Sequence, residues 1–242
     1  EVESGSYWFR HRNACIRALV STLQPSMDGV FCDIGGGNGF VAVALQNDGY
    51  EVILVEPSAE GARNAKKRGV RNVVCSTTEN AGLRNESISA MGAFDVIEHI
   101  EDAAGFVAQL RNALAPGGVM YATVPAFQWI WSEEDDLAGH YRRYTLGSIS
   151  NLFSGQGFEV VHASYMFWCL PLPIWLMRSI PHHLGVRKGG YDLQRMAREH
   201  GSRVTFGSKV ISRMLGFEVP MVRGMRRIPI GSSCLIAARK PT

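Results

Sequence analysis

The chain has 242 residues, of which 46% are hydrophobic and 19% are charged. This composition excludes a disordered or collagen-like chain, and the length allows one sizeable domain with an insertion. The formal net charge of +3 is unevenly spread: residues 1–181 hold 13 basic and 19 acidic residues, whereas residues 182–227 hold 10 basic and 3 acidic ones. The chain therefore has a mildly acidic body and a late basic segment.

No targeting or membrane-spanning segment is predicted. The N-terminal residues are polar and aromatic rather than typical of a signal peptide, and no apolar run reaches the ~20 residues that a spanning helix needs. The five cysteines are scattered and form no closely spaced pair. We therefore expect reduced thiols and a cytoplasmic protein, with the inner face of the membrane as an alternative location.

Strands and helices alternate over the first half of the chain. Apolar residues at helical spacing predict a helix over residues 8–23 that ends before Pro25. The next predicted strands are residues 30–34, 51–55, 72–75, 88–94 and 119–124. The predicted helices between them are residues 40–46, 57–68 and 103–114. This alternation predicts an α/β fold with a parallel sheet and helices on both faces.

The second half is less regular. A connection over residues 125–144 is rich in Trp and charge, and a helix (146–153), a sixth strand (158–165) and a final strand (232–238) are predicted. We expect one domain formed by residues 1–165 and 232–242. Residues 166–231 would be a helical cap inserted between its last two strands, binding the acceptor.

A glycine-rich turn follows the first strand. Glycines let the backbone approach a ligand, and the helix start offers free N–H groups, so Gly35 to Gly39 predict a nucleotide site or, alternatively, only a tight turn. A dinucleotide fingerprint needs a small residue where Phe40 stands, which argues against a nicotinamide oxidoreductase, and no P-loop Lys follows. Glu56, at the end of the next strand, is positioned either to bind ribose hydroxyls or to be a solvated carboxylate.

Four motifs resemble class I S-adenosylmethionine (SAM) methyltransferases: residues 33–39 (DIGGGNG), Glu56, residues 94–100 (FDVIEHI) and residues 114–118 (LAPGG). The resemblance implies a Rossmann-like sheet of seven strands with the last antiparallel, and SAM as cofactor. One departure is Gly36, where many members have Cys or Ser. The implied SAM-binding residues are Asp33, Gly35, Gly36, Gly37, Gly39, Glu56, Pro57, Thr77, Thr78, Glu79, Phe94 and Asp95.

Further segments are similar to a bacterial subgroup associated with surface-polysaccharide and lipid-linked sugar pathways: residues 7–10 (YWFR), 129–132 (WIWS) and 139–145 (GHYRRYT). This similarity implies a small or lipid-linked acceptor, and our main hypothesis is O-methylation of a sugar hydroxyl. A quinone or phenol acceptor is the alternative, and a non-catalytic SAM- or nucleotide-binding regulator is the rival from another class. The candidate acceptor-binding residues are Trp8, Arg12, Trp129, Trp131, Arg142, Arg143 and Tyr144.

Two histidines are candidate general bases, because imidazole titrates near neutral pH. His99 follows the strand that ends beside the SAM methyl in this fold, and His140 lies on the long loop; either could instead be structural. Asp95, Glu98 and His99 would share one helical face and could hold a divalent cation, a role assigned to a similar pattern in ubiquinone-pathway O-methyltransferases. We expect instead that Asp95 faces SAM and Glu98 orients His99, with no metal.

Charge suggests two roles for the second half. Arg142 and Arg143 could form a fork for a phosphate or carboxylate, or an ion-pair network with the acids at 133–136. The apolar run 165–180 followed by the basic stretch 187–227 suits an anionic lipid-linked acceptor and peripheral membrane contact, or simple packing on the sheet. No nucleic-acid motif is visible, and nucleic acid is not expected as a partner.

Overall fold

A computed structural model describes residues 6–25, 29–185 and 206–242. Its centre is a single seven-stranded sheet with the order β3-β2-β1-β4-β5-β7-β6. The strands are β1 Val30–Ile34, β2 Glu51–Val55, β3 Asn72–Val74, β4 Ile88–Phe94, β5 Leu114–Pro125, β6 Glu159–Met166 and β7 Ser233–Arg239. The first five strands are parallel, and β7 runs antiparallel to both neighbours. The predicted fold class is therefore confirmed.

Helices cover both faces of the sheet. They are α1 Tyr7–Leu23, α2 Phe40–Asn47, α3 Ala59–Arg68, α4 Ala103–Ala113, α5 Glu133–Ala138, α6 Leu146–Gly155, α7 Phe206–Leu215 and α8 Glu218–Arg223. Apolar side chains of α4 and α6 pack on one face, whereas α1, α2 and α8 contribute to the core on the other. Central strands β4 and β5 are apolar almost throughout because both of their faces are covered.

Strand β5 begins earlier than the sequence predicts. Leu114 already pairs with Ile88 of β4, and the register shifts before Ala90 pairs with Val119. The segment between these pairs contains Gly117 at φ +75°, whose N–H donates to Lys240 O at 2.9 Å. The Pro-Gly-Gly part of the 114–118 motif is thus an irregularity inside β5, because the strand pairs with β4 both before and after it.

Three carboxylates gather at one edge of the sheet. Asp33 lies near the end of β1, and Glu56 and Asp95 directly follow β2 and β4. Strand β1 pairs with both β2 and β4, so Asp33 lies between the other two. The chain reverses its direction of winding here, and in open parallel sheets ligands bind at that point, beyond the carboxyl ends of the strands.

The segment between β6 and β7 is described in two parts. Directly after β6 come three abutting helical pieces, Pro171–Ile174, Trp175–Ser179 and Ile180–His183, and later α7 and α8, which pack near α1. The basic residues at 187–203 lie outside the described residues, so the acceptor-binding cap at 166–231 stays a prediction. Within the described ranges, we find no helix with the length and apolar character to cross a bilayer.

Candidate functional site

The glycine turn after β1 has a shape that side chains would prevent. Gly39 precedes α2 at φ +76°, and a Cβ there would lie 2.7 Å from Val70 Cγ2. At Gly36, a Cβ would lie 2.6 Å from Leu54 Cδ1 and 2.8 Å from Asp33 Oδ2. The departure from Cys or Ser at position 36 therefore matches local packing, because Leu54 occupies the space that a side chain would need.

Glu56 is held against this turn. Its Oε2 accepts the N–H of Gly37 at 2.9 Å and its Oε1 accepts the N–H of Ser58 at 2.8 Å. The residue is buried, and each carboxylate oxygen keeps a second lone pair for a further donor. The two carboxylate oxygens lie side by side just after β2, where they can accept hydrogen bonds from the two adjacent hydroxyls of a ribose.

Asp33 places a buried carboxyl group below the turn. The residue is 1% exposed, and Oδ2 has no hydrogen-bond partner among the described residues. Burial raises the pKa of Asp33 to about 7, an effect that the Arg12 guanidinium and a backbone hydrogen bond from Ala42 partly offset. The glycine turn, Asp33 and Glu56 together provide backbone donors, a ribose acid and negative charge, which fit a cationic nucleoside such as SAM.

Two histidines meet beyond β4. The His99 and His140 rings are 4.7 Å apart, edge to face. His140 Nδ1 donates to Asp135 Oδ1 at 2.8 Å, so the neutral ring carries its lone pair on Nε2. Burial and the neighbouring His140 both lower the pKa of His99. A lowered pKa keeps the His99 imidazole neutral and able to accept a proton, and the hydrogen bond to Asp135 leaves Nε2 of His140 as an acceptor.

Comparison with known proteins decides the family. A family model described as a methyltransferase domain matches residues 8–163, more than half of the chain. The chain belongs to this methyltransferase family. The match spans α1, the glycine turn, the ribose acid and the histidine pair, so the methyltransferase assignment rests on the region whose geometry is described above.

Curated relatives and solved structures agree with this assignment. A ubiquinone biosynthesis O-methyltransferase from Nitrobacter winogradskyi is 31% identical over 102 residues, 40% of this chain and 39% of that protein. The chain thus matches less than half the length of this relative. A SAM-dependent methyltransferase from Mesorhizobium loti has a TM-score of 0.58 at 17% identity, covering 93% of this chain and 97% of that one.

A Haemonchus contortus phosphoethanolamine N-methyltransferase, solved with S-adenosylhomocysteine, has a TM-score of 0.59 at 17% identity. The alignment covers 95% of the methyltransferase described here and 53% of the other chain. These likenesses show the fold. Together with the family match, they support a class I methyltransferase fold with SAM as its cofactor.

The remaining predicted SAM residues of the methyltransferase lie around the same edge. Ser76 N donates to Glu56 O at 3.1 Å, which holds the loop after β3, with Thr77, Thr78 and Glu79, beside β2. In that loop Thr78 is half-buried, whereas Thr77 and Glu79 are exposed, and Pro57, directly after Glu56, is exposed too. Phe94 is different, because its ring is buried in the core against the backbone of Gly92.

Asp95 has internal partners. Its backbone is left-handed at φ +58°, and Oδ1 accepts the hydroxyl of Thr123 at 2.9 Å. Oδ2 accepts Arg12 Nη1 in an ion pair, and the Arg12 guanidinium lies 5.0 Å from the Trp8 ring. The Trp8 ring stacks on Phe167 at 5.3 Å. Arg12 and Trp8, predicted to bind the acceptor, therefore tie α1 over the carboxyl edge of the sheet.

The grouping of possible metal ligands differs from the one considered from sequence. Asp95 is engaged by Arg12 and Thr123, and the ligand atoms that converge within 4.8 Å belong instead to Glu98, His99 and His140. Glu98 is 1% exposed and its Oε2 has no partner among the described residues, so no hydrogen bond from that oxygen orients His99. Burial, then the Asp95 charge, raises the pKa of Glu98 well above its usual range.

Arg143 forms the ion-pair network that was the alternative to a phosphate fork. Its Nε and Nη2 donate to the two oxygens of Asp135 at 2.8 and 2.9 Å. Burial alone would raise the pKa of Asp135, but hydrogen bonds from His140 and Arg143 bring it down to about 2. The sequence did not single out Asp135, although a Ser132-x-x-Asp135 capping box at the start of α5 is a visible signal.

The other candidate acceptor residues differ in how far they are exposed and in whether they already have internal partners. Arg142 Nη2 donates to Glu101 O at 2.7 Å, Trp131 Nε1 donates to Asp136 Oδ1 at 2.8 Å, and Tyr144 is buried with no partner for its hydroxyl in the described part of the chain. Burial raises the pKa of Tyr144 to about 12. Trp129 is 46% exposed, with Phe127 stacked 5.7 Å away. Trp129 is thus the predicted aromatic residue best placed to meet an acceptor.

Proposed function

We propose that the protein O-methylates a hydroxyl of an aromatic, phenol-like acceptor, with His140 as the general base. The observation that carries this proposal is the Asp135–His140 hydrogen bond of 2.8 Å, which fixes the imidazole tautomer beside His99 and β4. A carboxylate that binds Nδ1 leaves Nε2 as the proton acceptor and stabilises the imidazolium that forms.

Methyl transfer to a hydroxyl requires the chain to bind SAM, to orient the methyl group and to remove the proton of the acceptor. Bound SAM supplies an electrophilic methyl group, which is transferred in an in-line displacement. The glycine turn and Glu56 hold the nucleoside, and the edge near Asp95 faces the reacting end. His140 removes the proton of the acceptor hydroxyl as the oxygen attacks, with His99 as the alternative base. The protonated base then returns its proton to water.

The acceptor class rests on relatives and on surface chemistry. The curated relatives carry the name ubiquinone biosynthesis O-methyltransferase, which favours a phenol-type hydroxyl over the sugar hydroxyl of our main hypothesis. The aromatic rings of Tyr165, Phe127, Trp129 and Trp175 lie in successive contact in that order, at centroid distances between 4.8 and 6.3 Å. Such rings suit a planar acceptor, and exposed Trp129 would also stack on a sugar face, which keeps the sugar hydroxyl as a second candidate.

A divalent cation is an alternative partner of the same site. Glu98, His99 and His140 offer one carboxylate oxygen and two imidazole nitrogens within 4.8 Å, a donor set that fits such an ion. A cation held there would polarise the acceptor hydroxyl. Exhaustive chelation separates the two mechanisms: full activity without added metal supports His140 as base, and loss that magnesium alone restores supports the cation at this site.

We also propose that residues 166–231 form the acceptor side and contact an anionic membrane surface. Support comes from the helical pieces after β6, where five apolar residues are exposed: Leu172, Trp175, Leu176, Met177 and Leu184. Apolar side chains together with the basic residues of 182–227 match an anionic bilayer and a lipid-linked acceptor. Co-sedimentation with phosphatidylglycerol vesicles at low salt tests this, and absence of binding there contradicts it.

A labelled-methyl assay with three acceptor classes tests the central proposal. Purified protein and radiolabelled SAM are incubated with a catechol, with a nucleotide-linked sugar and with a polyprenyl-linked sugar. We expect label in the catechol product. Transfer to a sugar alone would replace the phenol proposal by the sugar hypothesis. SAM binding by calorimetry with no transfer to any acceptor would favour a non-catalytic SAM-binding regulator.

A further inference from the structure

A second group of metal-binding side chains lies away from the histidine pair. His11 and Cys15 are four residues apart on α1 and therefore share one face of the helix. Glu218 begins α8, in the segment between β6 and β7, and meets that face. One ligand atom of each residue lies within 4.8 Å of the others. Neither His11 nor Cys15 nor Glu218 has a part in the methyl transfer proposed above.

Burial makes this cluster unusual. Cys15 and Glu218 are fully buried, and the His11 side chain is 10% exposed. The Glu218 carboxylate is fixed in place, because Oε1 accepts the N–H of Trp168 at 2.8 Å and Oε2 accepts the N–H of Phe167 at 2.9 Å. A buried carboxylate is stabilised by hydrogen-bond donors and by paired positive charge, and a cation bound in this cluster would supply that charge.

The distances converge on one nitrogen. His11 Nε2 is 2.7 Å from Glu218 Oε2 and 3.5 Å from Cys15 Sγ. One ring nitrogen has a single in-plane proton or lone pair, so it cannot make a full hydrogen bond to both atoms. Zinc bonds of about 2.0–2.3 Å to nitrogen, oxygen and sulfur place tetrahedral ligand atoms about 3.5 Å apart. The nitrogen–sulfur distance already has this value, and the nitrogen–oxygen distance needs to lengthen by less than 1 Å.

We propose that His11, Cys15 and Glu218 form a zinc site that fastens α1 to α8. Binding replaces the thiol proton, which leaves to solvent, so that thiolate and carboxylate balance the two charges of the ion. A neutral imidazole completes the protein ligands, and the fourth position falls to water or to another group. Because Arg12 and Trp8 hold α1 over the SAM edge, the ion would stabilise the segment between β6 and β7 against the cofactor domain.

Cobalt substitution identifies the sulfur ligand. The protein is stripped of metal, loaded with one equivalent of Co²⁺ and examined for the near-ultraviolet thiolate-to-cobalt charge-transfer band. We expect the band in the wild type, in Cys75→Ser and in His99→Ala, and its loss in Cys15→Ser. The Cys75 control removes an exposed thiol, and the His99 control removes a ligand of the other candidate cluster.

Zinc content and melting temperature complete the test without depending on how a variant folds. We expect about one zinc per chain after purification, and a melting temperature of the wild type that falls on metal removal and returns with zinc. Glu218→Gln should weaken zinc binding at least tenfold. A wild type without stoichiometric zinc whose melting temperature ignores added zinc would overturn the proposal and leave a His11–Glu218 ion pair. A band that persists in Cys15→Ser would also overturn it.

Discussion

His140 forms an imidazole–carboxylate pair with the buried Asp135, with Nδ1 and Oδ1 separated by 2.8 Å. The same Asp135 carboxylate accepts hydrogen bonds from Nε and Nη2 of Arg143. It therefore binds an arginine and a histidine at the same time. This arrangement fixes the imidazole before any ligand arrives. Asp135 acts on the reaction only through His140 and is therefore a positioning residue, whereas His140 would touch the acceptor.

His140→Ala should lower kcat by about a hundredfold or more, the usual contribution of a general base. The affinity for SAM, measured by calorimetry, should not change, because the glycine turn and Glu56 are untouched. Lys67→Ala is the control, since Lys67 is an exposed residue in the last turn of α3 and lies outside the proposed acceptor side, and its kcat should equal that of the wild type. Equal turnover of His140→Ala and wild type would assign the base elsewhere. Asp135→Asn is a poorer target, because it leaves Arg143 buried without its partner charge.

The pH dependence of kcat/KM should distinguish the two histidines. Burial, together with the neighbouring His140, lowers the pKa of His99. A lowered pKa keeps the imidazole neutral, and able to accept a proton, to below the ordinary value of about 6.5. If His99 is the base, activity should therefore fall only below about pH 6.5, and the acid limb should disappear in His99→Ala.

If His140 is the base, that limb disappears in His140→Ala instead, while His99→Ala keeps it. Profiles of both variants and the wild type, recorded with saturating SAM, make the comparison. A limb that persists unchanged in both variants would show that neither imidazole controls the rate.

Glu56→Gln tests the ribose acid. Gln keeps the size of the side chain but replaces one acceptor oxygen by an NH₂ group, which must face the N–H of Gly37 or Ser58. Hydrogen bonds to a charged group contribute about 1.5–3 kcal/mol, so the Kd for SAM should rise about 10- to 100-fold. Glu60→Gln, an exposed acid in the first turn of α3, should leave the Kd unchanged. Equal affinities of the two variants would contradict the ribose role.

Asp33→Asn should stabilise the SAM-free protein at high pH. Burial raises the pKa of Asp33 from 3.8 to about 7, so the unfolded chain loses this proton first and the folded state carries an ionisation penalty that begins near pH 4. The penalty grows until pH 7 and is constant above it, reaching at most about 4 kcal/mol. The melting temperature of Asp33→Asn relative to wild type should therefore rise between pH 4 and 7. Asp48→Asn, an exposed control, should show no such rise.

The cofactor half of the fold could be read from the sequence because local signals and long-range structure agree there. An apolar strand, the glycines and Glu56 predict β1, the turn and β2, and the structure contains each of them. Turn conformation depends on local residue type: Gly35 and Gly39 have positive φ, which glycine adopts without steric cost. The same locality explains why the alternation of strands and helices predicted the parallel part of the sheet.

The acceptor side could not be read in the same way. Arg12 and Asp95 are 83 residues apart, and nothing near either residue signals their ion pair. The grouping of Glu98 and His99 with His140 rather than with Asp95 depends on the return of residues 139–144 across β4, where Tyr141 N donates to Glu98 O at 2.8 Å. Such contacts arise from packing of distant segments, so residue spacing alone grouped Asp95 with Glu98 and His99 and did not indicate that His140 joins them.

Gly36→Ser should destabilise the protein although many relatives of the glycine motif carry a larger residue there. The added Cβ would lie 2.6 Å from Leu54 Cδ1 and 2.8 Å from Asp33 Oδ2, both of which are buried. Overpacking of this kind costs about 1–3 kcal/mol, measured as the change in the free energy of unfolding in urea, and a displaced turn should also weaken SAM binding.

Gly155→Ala is the control for that substitution, because a Cβ at the end of α6 meets nothing within 4 Å and should stabilise the helix by about 0.5–1 kcal/mol. The double variant Gly36→Ser with Leu54→Ala separates crowding from other effects. If Leu54 is the obstacle, the two substitutions should cost less together than the sum of their separate costs, since the serine fills space that the truncated leucine leaves. Strict additivity would show that Leu54 is not the obstacle and would leave the contact with Asp33 Oδ2 as the reason for glycine.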